Sequence, residues 1–454
     1  MNFFTRPPFL TTTPALSTPA LLADLYATAT AAAAPGPALA SRLDRLEIDP
    51  GRRIWIIALG KAALPMAQTG VAVLRARGLA PAGGLVVSPA DGESPHPRLA
   101  SVRGDHPEPG AGSLAAAEAL ETTASGIGPS DEVWVLLSGG TTSLVGAPEP
   151  GITPAELTEI YGLLLGSGLD ITAMNRIRKR FSRWGGGRLA RALAPARVKV
   201  YIVSDVIGDD LASIGSGPCV PDPTTAADVR VLLQGAGLWT RIPGPAREAV
   251  VSAEAGKTTE TPKPGDQAFA RVTLELVASN GLALEAAAKR AAELGLAPSV
   301  VKTPLAGEAA AAGASVAADL LNNCVRLPIT QPTGGGRRRP CVIWGGETTV
   351  TLGHGTVGLG GRCQELALAA ARVLQGAPAG TALLAAGTDG RDGPTDAAGA
   401  IVDGTTWKAI SERGRNPALD LAAHDAYHAL DSAGALLRPG LSGTNVMDVV
   451  IGVC

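Results

Sequence analysis

Asp205, Asp209 and Asp210 fall within one stretch, VSDVIGDDLASIGSGPCVPDPTT (203–225), where the apolar run VKVYIVS (198–204) gives way to a glycine-rich loop. Open α/β sheets bind ligands in the crevice at the carboxyl ends of their strands, so carboxylates at a strand exit point to a site. The small residues of the loop also let its backbone approach an anion. On its own the stretch reads equally well as a polar turn full of capping residues.

Other clusters of the same style shift that balance. Gly60-Lys61 follows the apolar run RRIWIIALG (52–60), and Lys61 opens a helix, where its charge adds to the anion preference of the helix amides. This is not a P-loop: no glycine stands five residues before Gly60, and Ala62 replaces the hydroxyl residue that would hold magnesium. Ser138, Gly139 and Gly140, in SGGTTSL (138–144), offer amides and hydroxyls at a further strand end. NRIRKRFSRWGGGR (175–188) sets Arg176, Arg180 and Arg183 on one helical face, with Arg178 offset; such a face is expected to be solvated. WGGETTVTLGHGTVGLGGRCQE (344–365) supplies Gly346 and Glu347 after a strand and Arg362 at a helix start. TDGRDGPTD (388–396) supplies Asp389, Asp392 and Asp396, and differs from a calcium loop in carrying Ala400 where the twelfth-position Glu would stand. Phosphoryl transfer needs this inventory: amides and cations for phosphate oxygens, carboxylates for Mg2+, and a base for the attacking hydroxyl.

The elements that position these groups alternate. Strands are expected at 52–60, 83–89, 132–140 and 198–205, separated by helices from Lys61, over Ser113–Thr123 and over 154–168 and 171–184, after an Ala-rich helical segment at 20–46. The nearly all-apolar strands call for a parallel sheet covered on both faces. SAEAGKTTETPKPGDQ (252–267) reads as a linker or exposed loop. Beyond it VTLELVAS (272–279), helices near 281–294 and 307–322, a strand pair in CVIWGGETTVTLG (341–353), a helix over 361–375 and the strand TALLAAG (381–387) restart the alternation. Two α/β domains follow, at 20–250 and 268–454, and a length of 454 residues agrees.

Composition excludes several classes. A net charge of −2 gives no general pull toward nucleic acid or a membrane surface, and no run of 18 apolar residues exists. The five cysteines (219, 324, 341, 363, 454) show no zinc spacing and fit reduced thiols in a cytoplasm. Residues 1–19 read as a frayed leader, and TGGGRRRP (333–340) as a solvated loop.

The order of motifs resembles a known family. GKAA (60–63), GDHPEPGAGS (104–113), SGG (138–140), GGRLA (186–190), SDVIGDD (204–210) with SGPCVPDPTT (216–225), GGETTV (345–350), GGRCQE (360–365), TDGRDGPTDAAGA (388–400) and GTNVMD (443–448) are collinear with class II glycerate 2-kinases, the MOFRL family once labelled hydroxypyruvate reductases. The resemblance implies an N-terminal Rossmann-like domain, a C-terminal MOFRL-type α/β domain and a site in the cleft between them. It implies ATP- and Mg2+-dependent phosphorylation of the 2-hydroxyl of D-glycerate, a small-molecule substrate, by a monomer or homodimer. Lys61, Asp205 and Arg362 are the catalytic residues it carries over. Ser138, Gly139, Gly140, Arg178, Asp209, Asp210, Gly346, Glu347 and Asn445 are expected to bind nucleotide or substrate, and Asp389 and Asp392 the metal. Thr141, Gly185, Cys363 and Met447 depart from the family pattern. Cys363, at a helix start beside Arg362, is expected either to be a reactive thiolate or to pack as a small buried thiol.

Two other classes compete. An NAD(P)-dependent hydroxypyruvate or glycerate oxidoreductase would use GHGTVG (353–358), which matches GxGxxG but lacks the acidic residue about 20 positions on. A binding protein that kept the cleft without turnover, or a related kinase for another hydroxy acid, would fit the departures. No GxSxG elbow supports a serine hydrolase.

Overall fold

The computed structural model describes residues 16–326, 338–353 and 357–454. Among them twelve strands form two six-stranded sheets: β1 Ile54–Leu59, β2 Gly83–Ser88, β3 Leu99–Arg103, β4 Glu132–Leu137, β5 Arg197–Val203, β6 Val272–Ala278, β7 Ala297–Val300, β8 Pro340–Gly346, β9 Ala382–Gly387, β10 Gly399–Asp403, β11 Leu436–Leu437 and β12 Asp448–Val453.

The first sheet runs β3-β2-β1-β4-β5-β6 and is parallel throughout, as the apolar strands require. Its two faces are closed by separate cores. Ile56 and Ala58 of β1 face Leu22, Leu25 and Met66, while Ile57 and Leu59 face Leu120 and Leu189 on the other side. Each fully buried Ile, Leu or Met side chain among these contributes about 1.5–3 kcal/mol. Strand order reverses between β1 and β4, so the loops after these strands diverge and leave a crevice there.

The second sheet, β11-β10-β9-β12-β8-β7, is mixed. β12 lies antiparallel between β9 and β8, with Asp448 opposite both Gly387 and Gly346. The carboxyl ends of β8 and β9 therefore meet the amino end of β12 at one edge.

One long core cluster joins residues of both sheets through the helices Thr18–Ala32 and Asn280–Glu293. The first of these belongs to the second sheet as much as to the first. Tyr26 donates to the Gly387 carbonyl (2.7 Å), Thr444 donates to the Ala33 carbonyl (2.6 Å), and Arg290 pairs with Asp24 (2.8 Å).

Several expectations need correction. VTLELVAS is β6, which pairs with β5 from Val198–Val272 onward, so the first sheet extends past the expected 250–268 break. Segment 252–267 is not a free linker. Glu260 accepts from Arg180 (2.7 Å) and from the Ala226 amide (2.8 Å), and buried Thr261 donates to Asp222 (3.0 Å). In 341–353 only β8 forms; after it the chain makes a single bridge, Glu308–Thr349. Cys324 and Cys454 are joined in a disulfide rather than free, because the helix Ala309–Arg326 packs on the second sheet and brings its end beside the last residue of the chain (Cα–Cα 5.9 Å). Cys219, Cys341 and Cys363 are free and buried. Residues 1–15, most of TGGGRRRP, and the centre of GHGTVG lie outside the described residues. No helix among the described residues is long and apolar enough to cross a membrane.

Candidate active site

The crevice at the strand-order reversal is built by reciprocal bonds between the exits of β1 and β4. Ser138 Oγ accepts from the Ala62 amide (3.0 Å), and the Lys61 amide donates to the Gly139 carbonyl (2.9 Å). These bonds set the first turn of the helix Ala63–Ala76 against the SGG loop and fix where Lys61 departs from the backbone. Gly139 is required by close approach: a Cβ there would fall inside the Asp205 carboxylate. Gly140 takes φ +83°, in the left-handed region, and so caps the short helix Thr141–Leu144.

Asp205 enters from the end of β5 and is half-buried against that loop. Burial raises its carboxyl above the ordinary aspartate range, with Lys61, a backbone hydrogen bond and His106 pulling it back down. His106 belongs to the same cluster. Its imidazole is held below its usual pKa by desolvation and by Lys61, against the opposing pull of Asp205. A Cβ on Gly140 would meet His106 Cδ2 at 3.1 Å and Lys61 Cγ at 3.2 Å, so these two side chains flank the loop.

From the second sheet, Asp389 and Asn445 complete the wall. Lys61, Ser138, Gly139, Asp205, Asp389 and Asn445 line a cavity of about 270 Å3. Burial raises the Asp389 carboxyl as well, with Asp448 adding to the shift and the Arg391 amide opposing it. Asn445 is held by accepting the Met447 amide (3.2 Å).

The structure sets Arg362 just outside this cavity, where carboxylates already engage it. Its Nε and Nη2 donate to the two oxygens of buried Asp448 (2.6 and 2.8 Å), and Nη1 lies 3.0 Å from Glu347. The shared charges keep Arg362 protonated, while burial raises the Glu347 carboxyl. Glu347 also lies within electrostatic reach of Asp205 and Lys61, so this ion-pair group adjoins the cavity.

Other expected site residues fall elsewhere. Asp392 is not paired with Asp389 as a ligand set: its oxygens accept from the Cys363 and Gln364 amides (3.2 and 2.8 Å), capping the helix Arg362–Val373. Burial pushes the Asp392 carboxyl up to about 7. Among the described residues no cluster of three or more His, Cys, Asp or Glu could hold a metal by itself. Asp209 lines a separate cavity with Asn280 and Lys302, and Asp210 closes its own turn through Ser213 (2.5 Å). Arg178 lies over the Tyr161 ring at 5.2 Å, and Gly346 ends β8, bridged to Leu305. Arg180 is buried rather than solvated. It shares a cavity of about 650 Å3 with Arg183, Arg188 and Arg191, but carboxylates engage all four: Glu260, Glu121, Glu149 and Asp266 respectively.

Cys363 is a buried packing thiol. Desolvation, together with Asp448 and Asp392, drives its pKa well above the usual value and outweighs Arg362, so the reactive-thiolate expectation does not hold. The reading of sequence missed His106 and Asp448. Both stand inside conspicuous motifs, GDHPEPGAGS and GTNVMD, which are the signals that could have found them.

A parallel sheet carrying lysine, carboxylates and glycine turns at its strand-order reversal, closed by a second α/β sheet, defines a two-domain phosphoryl-transfer enzyme. Residues 21–251 match the domain of unknown function DUF4147, and residues 340–448 match the MOFRL family. The chain is 36% identical to a glycerate 2-kinase of Pyrococcus horikoshii, over 88% of this chain and 87% of that one. It is 35% identical to a D-glycerate 2-kinase of Thermotoga maritima, over 92% and 94%. The crystal structure of a Thermotoga maritima glycerate kinase superposes with a TM-score of 0.84 at 34% identity, covering 95% of this chain and 98% of that one. The chain belongs to the MOFRL-type glycerate 2-kinase family.

Proposed function

We infer that this chain is a kinase that transfers a phosphoryl group from ATP to the 2-hydroxyl of D-glycerate. The observation that carries the reading is the joint placement of Lys61, Asp205, Asp389 and Asn445 around one small cavity between two sheets.

Asp205 is the base. Its raised pKa brings its proton affinity closer to that of the hydroxyl it must relieve, and Lys61 beside it keeps enough of the carboxylate ionised to act. The Lys61 ammonium offsets negative charge on the phosphoryl oxygens as the oxygen–phosphorus bond forms and the bond to the leaving diphosphate breaks. The Ser138 amide is spent on the Leu59 carbonyl (3.0 Å), so the Gly139 and Gly140 amides and the Asn445 side-chain amide would hold the glycerate carboxylate and 3-hydroxyl. Arg362, fixed by Asp448, presents its remaining face toward the phosphates and stays in register because the bidentate pair holds it.

The donor set fits magnesium carried on the nucleotide: Asp389 lines the cavity, and Mg2+ is held by one or two carboxylates together with phosphate oxygens. When bound, the ion supplies charge neutralisation on the phosphates. His106 flanks the SGG loop beside Lys61, and desolvation with the lysine's charge holds its imidazole below the usual pKa.

The test is ADP release with D-glycerate, followed by phosphorus NMR of the product. 2-Phosphoglycerate is expected. 3-Phosphoglycerate as the first product would overturn the assignment.

A further inference from the structure

GGETTV (345–350) and GGRCQE (360–365) contribute far more than Glu347 and Arg362. Together with Pro394 and His424 they enclose a second cavity of about 480 Å3 on the carboxyl-terminal side of the Arg362 ion pairs. It is considerably larger than the 270 Å3 cavity at Lys61 and has a different character. Val350, Leu352, Val357 and Pro394 give it an apolar wall, and Leu352 (58% exposed) and Val357 (39%) leave apolar surface open to solvent there. Inside, Thr348 is 4% exposed, and its hydroxyl has no hydrogen-bond partner. A buried hydroxyl without a partner is costly to the fold, so it calls for a ligand group. The buried carboxylate of Glu365 also lines the cavity, fixed by His424 Nδ1 at 2.8 Å.

We propose that this cavity holds the nucleoside end of the phosphoryl donor, with Arg362 between it and the Lys61–Asp205 cavity where the phosphoryl group is transferred. The inference rests on the kinase reading and adds which domain reads the nucleotide. A base needs an apolar wall, and a ribose or ring heteroatom needs one or two fixed polar partners. Val350, Leu352 and Pro394 supply the wall; Thr348 and Glu365 supply the partners. The phosphates then lead past Arg362 toward Lys61. Arg362 lines this cavity and is held by Asp448, which sits opposite Gly387, two residues before Asp389 of the Lys61 cavity. The cavity at Asp209 and Lys302 is the rival position, smaller at about 330 Å3.

Two measurements on the intact protein test the proposal. Photolabelling with 8-azido-ATP and peptide mapping should place the label within 347–362, 392–394 or at 424. Label confined to 207–209 or 300–304, or no saturable label at all, overturns it. Leu352→Glu, a change at an exposed side chain that leaves the core intact, should weaken fluorescent ATP-analogue binding and raise the KM for ATP by about tenfold or more, with the KM for glycerate unchanged. Unchanged analogue affinity in this variant overturns the proposal even if the wild type phosphorylates glycerate. Saturable labelling at 347–362 by a protein that does not turn over glycerate supports the nucleoside cavity and removes the glycerate assignment instead.

Discussion

The two sides of the cleft hold their charges differently. On the first sheet, Lys61, Asp205 and His106 influence one another, but among the described residues none is locked in an ion pair of the kind that holds Arg362. On the second sheet, Arg362 is held by Asp448 and Glu347, and Asp392 by two helix amides. Groups with spare hydrogen-bonding capacity can change partners during a reaction; saturated ones mainly hold geometry. On the proposed mechanism the first side is where bonds and protons move, and the second mainly sets distances while adding the Arg362 charge and the Asp389 carboxylate. Substitutions on the two sides should fail in different ways.

The largest effect belongs to the first side. Asp205→Asn keeps the shape and removes the base, and kcat should fall by about 10²–10⁴-fold; Lys61→Ala should fall within the same range. Folding should not suffer. The raised pKa of Asp205 means that its ionised form is disfavoured in the folded state relative to the unfolded one. That cost is absent below the unfolded pKa of about 3.9 and fully present above the folded value. Asp205→Asn should therefore show a higher Tm than wild type at pH 7, with the difference closing toward pH 3. A lower Tm at pH 7 together with near-normal turnover would remove Asp205 from the role of base.

Arg362→Ala should lose rate and stability together. It leaves buried Asp448 without its bidentate partner. Breaking a fully buried pair costs about 3–5 kcal/mol, and because the Arg362 side chain keeps 34% of its exposure the expected loss is about 2–3 kcal/mol. Urea titration gives the number. A variant as stable as wild type would mean that the Asp448 pair is ornamental to the fold, and the contrast between the two sides would weaken.

The pH profile comes next in size. With Asp205 as the proposed base, kcat/KM should rise with pH through a pKa above the ordinary carboxylate range. His106→Gln removes one of the groups that draw this pKa down and should shift the acid limb to higher pH, with little loss on the plateau. A limb unmoved by that substitution would place His106 outside the electrostatics of the site.

The same asymmetry explains which parts were legible in the sequence. Gly60-Lys61, SGG and SDVIGDD each follow an apolar parallel strand, so period and turn chemistry alone put them at one crevice. The second side rests on pairings between distant segments: Asp448 with Arg362, Asp392 with the helix start, and β12 between β8 and β9. Nothing local predicts those. Asp392, expected as a metal ligand, has its oxygens on two helix amides; a carboxylate that caps a helix and one that binds an ion look alike in sequence. Cys363 stayed open between two readings because a helix start and an adjacent arginine favour thiolate; its complete burial, which sequence does not show, decides for the packing thiol. β6 was placed in the wrong sheet because a polar, proline-bearing segment reads as a domain linker even where, as at Glu260 and Thr261, its side chains are packed.

The smallest expected effect concerns Met447, one of the departures from the pattern of the resembled family. Its φ is +67°, and the side chain is 4% exposed. The conformation is imposed from outside. The Met447 amide donates to Asn445 Oδ1, and its carbonyl accepts both the amide and the hydroxyl of Thr388. A left-handed residue other than Gly or Asn costs about 1–2 kcal/mol, whereas burial of a Met side chain contributes about 1.5–3 kcal/mol. Met447→Asn relieves much of the first and loses most of the second, so the net change should stay within about 1 kcal/mol. Met447→Ala loses the burial without relieving the backbone and should be destabilised by about 2 kcal/mol or more. The gap between the two variants, read from urea midpoints at equal slope, measures the backbone cost carried at this position. Equal losses in Asn and Ala would show that the loop, not residue 447, absorbs the strain, and the second side of the cleft would then be less rigid than its bonds imply.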